Sequence, residues 1–238
     1  MPEKQGGVQP RRPPPGPEPL DLAVIYEDEW VMAIDKPAGM VVHPTYKNWS
    51  GTLLNGLLAR VREPRIITRL DKGTSGLVLV ALSAEVHAQV QRDGAAGRVT
   101  KEYLAIVRGS PAPRGAIDLP LARSPEDRRR VVVDPAGQRS RTAYEVLSAS
   151  NGRAVVRCEL VTGRTHQIRV HLASQGWPIV GDRVYGEADE RLARQALHAW
   201  RVTFPHPVSR ETLVLEAPLP PELQTLADRV GPDRARRS

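Results

Sequence analysis

The chain has 238 residues, of which 40% are hydrophobic, so it is long enough to bury a substantial core. It carries 34 Lys and Arg against 27 Asp and Glu, and this formal charge of +7 fits a polyanionic partner such as nucleic acid. No apolar run approaches the roughly 20 residues of a membrane-spanning helix. The single cysteine, Cys158, excludes an internal disulfide and a metal site built on several cysteines. We therefore expect a soluble, cytoplasmic protein.

The first third of the chain predicts a proline-rich leader followed by a hairpin. Residues 1–20 contain seven prolines and three glycines, a composition that cannot form a packed core, so we expect them to be disordered. Apolar and β-branched residues then alternate with turn residues, and four leucines follow at helical spacing. The predicted elements are strands over 23–26 and 30–34, a helix over 52–61, a buried strand over 77–82 and a helix capped by Ser83.

The second half is richer in strands, which we predict over 99–108, 116–121, 130–133, 142–148, 153–160, 199–204 and 212–215. One helix over 165–175 interrupts them, with Thr165 as its N-cap and Gly176 as its left-handed stop. A last helix over 218–230 precedes a short basic tail, 231–238. Strand runs interrupted by isolated helices predict an α+β fold with a mixed, largely antiparallel sheet, in one body over residues 21–230.

One carboxylate lies on a loop bracketed by glycines, at the start of the predicted buried strand. The segment Arg69-Leu70-Asp71-Lys72-Gly73-Thr74-Ser75-Gly76 runs directly into an aliphatic stretch. Loops held by such a strand often carry reactive side chains, and the flanking cations favour an ionised Asp71. An isolated Asp-Lys-Gly is by default an ordinary turn, so the longer segment is what makes Asp71 a candidate nucleophile or base.

Two further segments carry candidate functional groups. Tyr103 lies in a predicted strand; such a tyrosine is ordinarily a core residue, but aromatic side chains are scarce here, so it is also a candidate platform for a base. In the predicted helix over 165–175, His166 and Arg169 are three residues apart and share one face, so Arg169 can face a carboxylate. His166 and His171 are five apart, which does not match a helical di-histidine metal site, and we expect no metal.

These three segments, in this order, resemble those of the RluA family of RNA pseudouridine synthases. The resemblance extends over residues 22–217 and includes the segments 26–28, 35–40, 42–44 and 176–182 with Tyr185. It implies the catalytic fold of that family, and an isomerase that converts uridine in ribosomal or transfer RNA to pseudouridine without a cofactor. The family's usual histidine at the start of the first motif is replaced here by Thr68, which affects a contact next to the site.

The resemblance also implies roles for individual residues. Asp71 would be the catalytic aspartate, Tyr103 would stack on the target base, and Arg169 would hold Asp71 through a bidentate pair. Arg69 would help to flip the nucleotide and would fill its place in the RNA. The other substrate-binding residues expected from the matched motifs are Thr74, Ser75, Gly76, Lys101, Arg164, His166, Gln167 and Ile179.

The reaction breaks the bond between N1 of uracil and the ribose and remakes it at C5, so the base must turn inside a closed pocket. The sequence leaves open whether Asp71 attacks covalently or acts as a base at the ribose. A non-catalytic RNA-binding or ribosome-assembly factor is the alternative function, and a nucleoside hydrolase is a more distant one. We expect no N-terminal RNA-binding accessory domain, a monomer, and RNA capture by the arginine-dense segment 123–141.

Overall fold

The computed structural model describes residues 13–127 and 129–231, and within these ranges it contains twelve strands and four helices. The strands are β1 (Ala23–Glu27), β2 (Val31–Lys36), β3 (Arg65–Ile66), β4 (Ser75–Ala81), β5 (Thr100–Arg108), β6 (Arg114–Asp118), β7 (Leu121–Arg123), β8 (Val131–Val133), β9 (Arg141–Ser150), β10 (Arg153–Leu160), β11 (Leu197–Pro205) and β12 (Thr212–Glu216). The helices are α1 (Leu53–Leu58), α2 (Ala84–Ala95), α3 (Gln167–Ser174) and α4 (Pro221–Asp228).

Ten of these strands form one mixed sheet in the order β1-β2-β4-β11-β5-β10-β9-β6, with β3 beside β4 and β12 beside β11. Within it β4 and β11 run parallel, and the other pairs are antiparallel. Strands β7 and β8 form a separate hairpin. The prediction of an α+β fold on a mixed, largely antiparallel sheet is therefore confirmed. In the described ranges, no helix is long and apolar enough to cross a membrane.

Strand β4 is buried along its whole length, as its unbroken aliphatic sequence predicted. Val78 and Val80 belong to the larger hydrophobic cluster, which also contains residues of α1, α3 and α4. Leu77 and Leu79 point the other way, into a second cluster that contains residues of α2. Alternate residues of one strand thus serve two cores, which fixes the start of β4, and the loop before it, in the middle of the protein.

The start of β4 approaches β11 closely because Gly76 has no side chain. A Cβ added to Gly76, whose φ is +108°, would lie 2.2 Å from the carbonyl oxygen of Ala199. That oxygen belongs to the backbone of β11, so the parallel contact between β4 and β11 depends on glycine at this position. A Cβ on Gly73, in the loop before β4, would lie 2.3 Å from Oε1 of Gln195, which is the end of a flexible side chain and can move aside.

The structure differs from the sequence-based predictions at three places. Helix α3 begins at Gln167, and its N-cap is His166 in the left-handed conformation (φ 54°), so Thr165 is not the cap. The strand predicted over 116–121 is two strands, because the chain leaves β9 after Asp118 and pairs with β8 from Leu121 onward. Strand β3 was not predicted because it is only two residues long.

Part of the predicted leader is ordered against α1. Asn55 Nδ2 donates to the carbonyl of Gly16 (2.8 Å), and Glu18 accepts a hydrogen bond from the Gly51 amide (2.7 Å). Leu20 packs against the larger cluster. The predicted disorder is therefore wrong for residues 16–20, while residues 1–12 and the tail from 232 lie outside the described residues.

Candidate active site

Asp71 and Arg169 meet at the centre of the candidate site. Asp71 lies on the loop between β3 and β4 with 26% of its side chain exposed, and its Oδ2 accepts a hydrogen bond from Nη1 of Arg169 on α3 (3.0 Å). A carboxylate that is partly exposed and held by a buried guanidinium is both oriented and accessible. The structure therefore brings together the two residues expected to pair.

The bidentate partner of Arg169 is Asp182 rather than Asp71. Nε and Nη2 of Arg169 donate to the two carboxylate oxygens of Asp182 at 2.7 and 2.8 Å. Asp182 is buried and also accepts hydrogen bonds from the amides of Val184 and Tyr185. The expected bidentate pair with Asp71 is thus wrong, because two of the guanidinium donors are already committed to Asp182 and a single one reaches Asp71.

The electrostatics of Arg169 and Asp182 follow from this pairing. Burial alone would lower the pKa of Arg169, but its hydrogen bonds and charge contacts with Asp182 and Asp71 raise it overall. Burial alone would raise the pKa of Asp182, and the Arg169 guanidinium outweighs that effect and lowers it. Both groups therefore stay charged at neutral pH, and the cation beside Asp71 is permanent.

His166 presents its second nitrogen to Asp71. The Tyr185 hydroxyl accepts the amide hydrogen of Val131 (2.8 Å), and it lies 2.8 Å from Nδ1 of His166. In the tautomer in which the phenol donates its proton to Nδ1, the ring proton lies on Nε2, which is 3.7 Å from Oδ2 of Asp71. Burial lowers the pKa of His166, so the ring is neutral at pH 7. His166 then points an N–H, not a lone pair, at the carboxylate.

The two histidines of this segment serve separate networks. His171 is fully buried, and its ring nitrogens contact the Thr142 hydroxyl (2.9 Å) and the Leu119 carbonyl (3.0 Å). In the part of the chain that the structure describes, no cluster of three or more His, Cys, Asp or Glu is arranged to hold a metal ion.

Tyr103 lies on β5 and is 8% exposed. Burial raises the pKa of its hydroxyl, and the negative charge of Asp71 raises it further, so the phenol is neutral and close enough to sense that carboxylate. Tyr103 pairs with Cys158 on β10 and with Ala199 on β11. These small side chains flank the ring, so Tyr103 forms a fixed aromatic surface beside Asp71.

Several predicted substrate-binding residues are buried and bonded within the protein. Thr74 and Ser75 are 2% and 1% exposed, and their hydroxyls contact Gln195 (3.1 Å) and His198 (2.9 Å). Gln167 is 2% exposed and bonds to Thr162, Arg164, Arg141 and Thr142. Together with Gly76 and the buried Ile179, they hold the Asp71 loop and α3 in place.

The remaining predicted residues surround the site with positive charge. Arg69 is exposed on the Asp71 loop, and Arg164 is exposed and lies next to the Arg139 carbonyl. Lys101 is half-buried, which lowers its pKa. The hairpin β7–β8 contributes Arg130, whose guanidinium lies 5.6 Å from the centre of the Tyr185 ring. The arginine-dense segment is therefore adjacent to the site, apart from Arg128, which lies outside the described residues.

Thr68, which stands where the family's histidine was expected, has a structural contact. Its hydroxyl accepts a hydrogen bond from the Leu79 amide (2.8 Å), and the Ile67 amide donates to the Leu79 carbonyl (2.8 Å). These bonds tie the chain before Asp71 to β4. With threonine at position 68, hydrogen bonds to β4 therefore still hold the Asp71 loop in position.

Comparisons with known proteins agree with this geometry. Residues 30–174 match the sequence profile of a family described as RNA pseudouridylate synthase. This chain belongs to the RNA pseudouridylate synthase family. It is 43% identical over 224 residues to ribosomal large subunit pseudouridine synthase D of Nitrosomonas europaea, covering 88% of this chain but only 65% of that protein. The protein of the same name from Xanthomonas campestris is 40% identical over 240 residues, with 92% and 72% covered.

A solved structure shows the same fold as this synthase-family chain. Human RNA pseudouridylate synthase domain containing 1 superposes with a TM-score of 0.71 at 26% identity, covering 90% of this chain and 96% of the human chain. The resemblance that the three sequence segments indicated is therefore confirmed at the level of family and fold.

Sequence reasoning assigned no role to two residues that interact with the candidate site, Asp182 and Lys36. Asp182 holds Arg169. Lys36 is fully buried, and its ammonium donates to the carbonyls of Pro37 (2.8 Å) and Met40 (2.9 Å). Burial lowers the pKa of Lys36 to about 8, with the Arg194 charge acting in the same direction. The signal available was the Lys-Pro-Ala-Gly sequence, in which a lysine directly precedes a tight turn.

Proposed function

We propose that this protein isomerises uridine to pseudouridine in ribosomal RNA of the large subunit, with Asp71 as the catalytic group. The observation that carries the proposal is the partly exposed Asp71, held by Arg169 and lying beside the fixed ring of Tyr103. The names of the bacterial relatives support large-subunit RNA as the substrate.

The proposed reaction begins when the target uridine leaves its stack, at a cost of a few kcal/mol, and its base packs against Tyr103. Asp71 then acts on the nucleoside. Attack on the sugar and removal of a ribose proton both start from the same ionised carboxylate, which Arg169 and the Nε2–H of His166 face. The surrounding arginines supply phosphate contacts that hold the RNA while the base turns.

The contacts of Asp182 argue against hydrolysis as the reaction. Glycoside hydrolysis ordinarily uses two carboxyl groups, one of which activates water or acts as an acid. Asp182, which shares Arg169 with Asp71, is 1% exposed and has both oxygens occupied by Arg169 and backbone amides. It cannot serve as that second group, so an isomerase fits the site better than a nucleoside hydrolase.

The test is release of tritium from C5-labelled uridine in unmodified large-subunit ribosomal RNA. We expect Asp71→Asn to lower the rate by at least about a thousandfold, because the amide is neither a nucleophile nor a base. RNA binding should be retained, and Asp21→Asn, at an exposed position, is the matched control. Free uracil as the product would indicate a hydrolase. RNA binding without tritium release from the native protein would favour the assembly factor.

A further inference from the structure

The loop between β2 and α1 projects an aromatic side chain that the proposed reaction does not use. Tyr46 is 76% exposed, the highest value among the exposed large hydrophobic side chains in the described ranges. Lys47 follows it and is also exposed. An exposed aromatic ring next to a cation is an arrangement that favours contact with a nucleic-acid base and its phosphate.

The backbone around Tyr46 is held in a tight turn. The amides and carbonyls of Thr45 and Asn48 exchange two hydrogen bonds (2.9 and 3.1 Å), which makes Tyr46 and Lys47 the two central residues of the turn. The Asn48 side chain donates to the Thr45 hydroxyl (3.2 Å) and reinforces it. A ring carried by such a turn loses little backbone freedom when a ligand binds.

The same turn is tied to the Asp71 loop. The ammonium of Lys72, the residue after Asp71, donates to the side-chain oxygen of Asn48 (3.2 Å). The Lys72 carbonyl accepts a hydrogen bond from the Gly39 amide (2.7 Å). The beginning of the loop between β2 and α1 is therefore also joined to the Asp71 loop. Tyr46 precedes Asn48 by two residues and Lys72 follows Asp71, so the turn that carries the Tyr46 ring lies beside the Asp71 loop.

The surroundings of this turn are cationic. Residues 36–51 contain no Asp or Glu, and the exposed Lys47 lies among them. Burial lowers the pKa of His43, and the positive charge of Arg69 lowers it further, which indicates that Arg69 lies near this loop. Lys72 is exposed beside it. This surface therefore favours a polyanionic partner over an apolar one.

We propose that Tyr46 and Lys47 bind an unpaired nucleotide next to the target uridine, with the base stacked on Tyr46 and its phosphate near Lys47. This inference rests on the proposed function and adds a substrate preference to it. A stacked base must be unpaired, so the protein should favour targets in single-stranded or looped RNA over targets flanked by duplex. Stacking accepts any base, so the identity of that nucleotide is not specified.

The experiment compares Tyr46→Ala, Tyr46→Phe and Val208→Ala in the full chain, with Val208 as an exposed apolar control in the turn between β11 and β12. The substrate is unmodified large-subunit ribosomal RNA with C5-tritiated uridine. We expect Tyr46→Ala to raise KM about five- to a hundredfold with little change in kcat, and Tyr46→Phe and Val208→Ala to leave both unchanged. A native KM for Tyr46→Ala would overturn the proposal, as would equal impairment by Phe and Ala.

Binding measurements separate this inference from the proposed reaction. In an Asp71→Asn background, Tyr46→Ala should weaken binding to a single-stranded RNA of mixed sequence by the same factor and leave binding to a fully paired RNA unchanged. Lys47→Ala should lower the slope of log affinity against log salt by about one. If the native protein releases no tritium, these binding results still decide whether Tyr46 stacks on RNA. Equal effects on paired and single-stranded RNA would refute stacking.

Discussion

Two of the groups of arginines and carboxylates among the described residues differ in burial rather than in chemistry. In the candidate site, the buried Arg169 holds Asp182 and Asp71. Elsewhere on the sheet, arginines and glutamates alternate across five strands in what we call the cross-strand ladder. Its members are Glu216 on β12, Arg201 on β11, Glu102 on β5, Arg157 on β10 and Glu145 on β9.

The two groups lie on opposite faces of the sheet, because Glu102 and Tyr103 are consecutive residues of β5. In the ladder, Arg157 and Glu145 have 37% and 47% of their side chains exposed, whereas Arg169 and Asp182 have 7% and 1%. Water screens the charges of Arg157 and Glu145, whereas the charges of Arg169 and Asp182 are compensated by the protein. An exposed arginine–carboxylate pair therefore adds little to the free energy of unfolding, but removing one partner of the buried pair leaves the other charge uncompensated.

Breaking the buried pair should have the largest effect. We expect Arg169→Met to cost about 3–5 kcal/mol of unfolding free energy, because it leaves the Asp182 charge buried and unpaired. Activity should fall by at least about a hundredfold, since Asp71 loses its oriented donor. Urea unfolding and tritium release measure the two effects.

A double variant tests the cause. Arg169→Met combined with Asp182→Asn removes both charges but keeps a side-chain oxygen that can accept from the amides of Val184 and Tyr185. This variant should recover most of the stability without recovering activity. If the double variant is as unstable as the single one, packing rather than the uncompensated carboxylate explains the loss.

Acidification should also lower the free energy of unfolding through the region around the candidate site, because that region contains a buried histidine and the ladder contains none. His198 is fully buried; Nε2 donates to the Ala217 carbonyl (3.2 Å) and Nδ1 accepts from Ser75 (2.9 Å). Burial lowers its pKa to about 4. The unfolded chain binds this proton near pH 6.5 and the folded chain does not, so stability is complete above that pH and falls as pH drops toward 4.

Over this pH window, protonation of His198 in the unfolded chain should lower the free energy of unfolding by about 3 kcal/mol. Urea unfolding of the native protein and of His198→Asn, measured between pH 7 and pH 4.5, checks it. The variant should be less stable at pH 7 and should lose less stability on acidification. Parallel curves for the two proteins would contradict the assignment to His198.

The ladder should give the smallest effect. Arg157→Gln should cost less than about 1 kcal/mol, because its partner Glu145 is 47% exposed and Arg201 still compensates the less exposed Glu102. The cost should shrink further in high salt, and tritium release should be unchanged. A loss above 2 kcal/mol would show that the ladder, too, acts as a buried network.

The sequence predicted the parts of this site that depend on local patterns. The unbroken run after Gly76 predicted a fully buried β4, and the helical spacing around Arg169 predicted that its side chain can face a carboxylate. These features follow from strand and helix periodicity, which the order of residues alone determines.

The remaining features required tertiary structure. Asp182 is thirteen residues from Arg169, and nothing in the sequence indicates that it takes the bidentate pair away from Asp71. Thr74 and Ser75 belong to the resemblance that implied substrate binding, yet β11 covers them. The position of a residue within a motif therefore did not show whether its side chain is exposed in the candidate site or packed in the core.

The parallel contact between β4 and β11 has a consequence for synthesis of the chain. Ser75 bonds to His198 across 123 residues, and Thr74 bonds to Gln195 across 121. Pairings of such long range form late, since a large loop must close first. A nascent chain that has already emerged beyond Asp71 still lacks the strand that supports that loop. The Asp71 loop therefore reaches its supported position only after residues 195–205 have been synthesised.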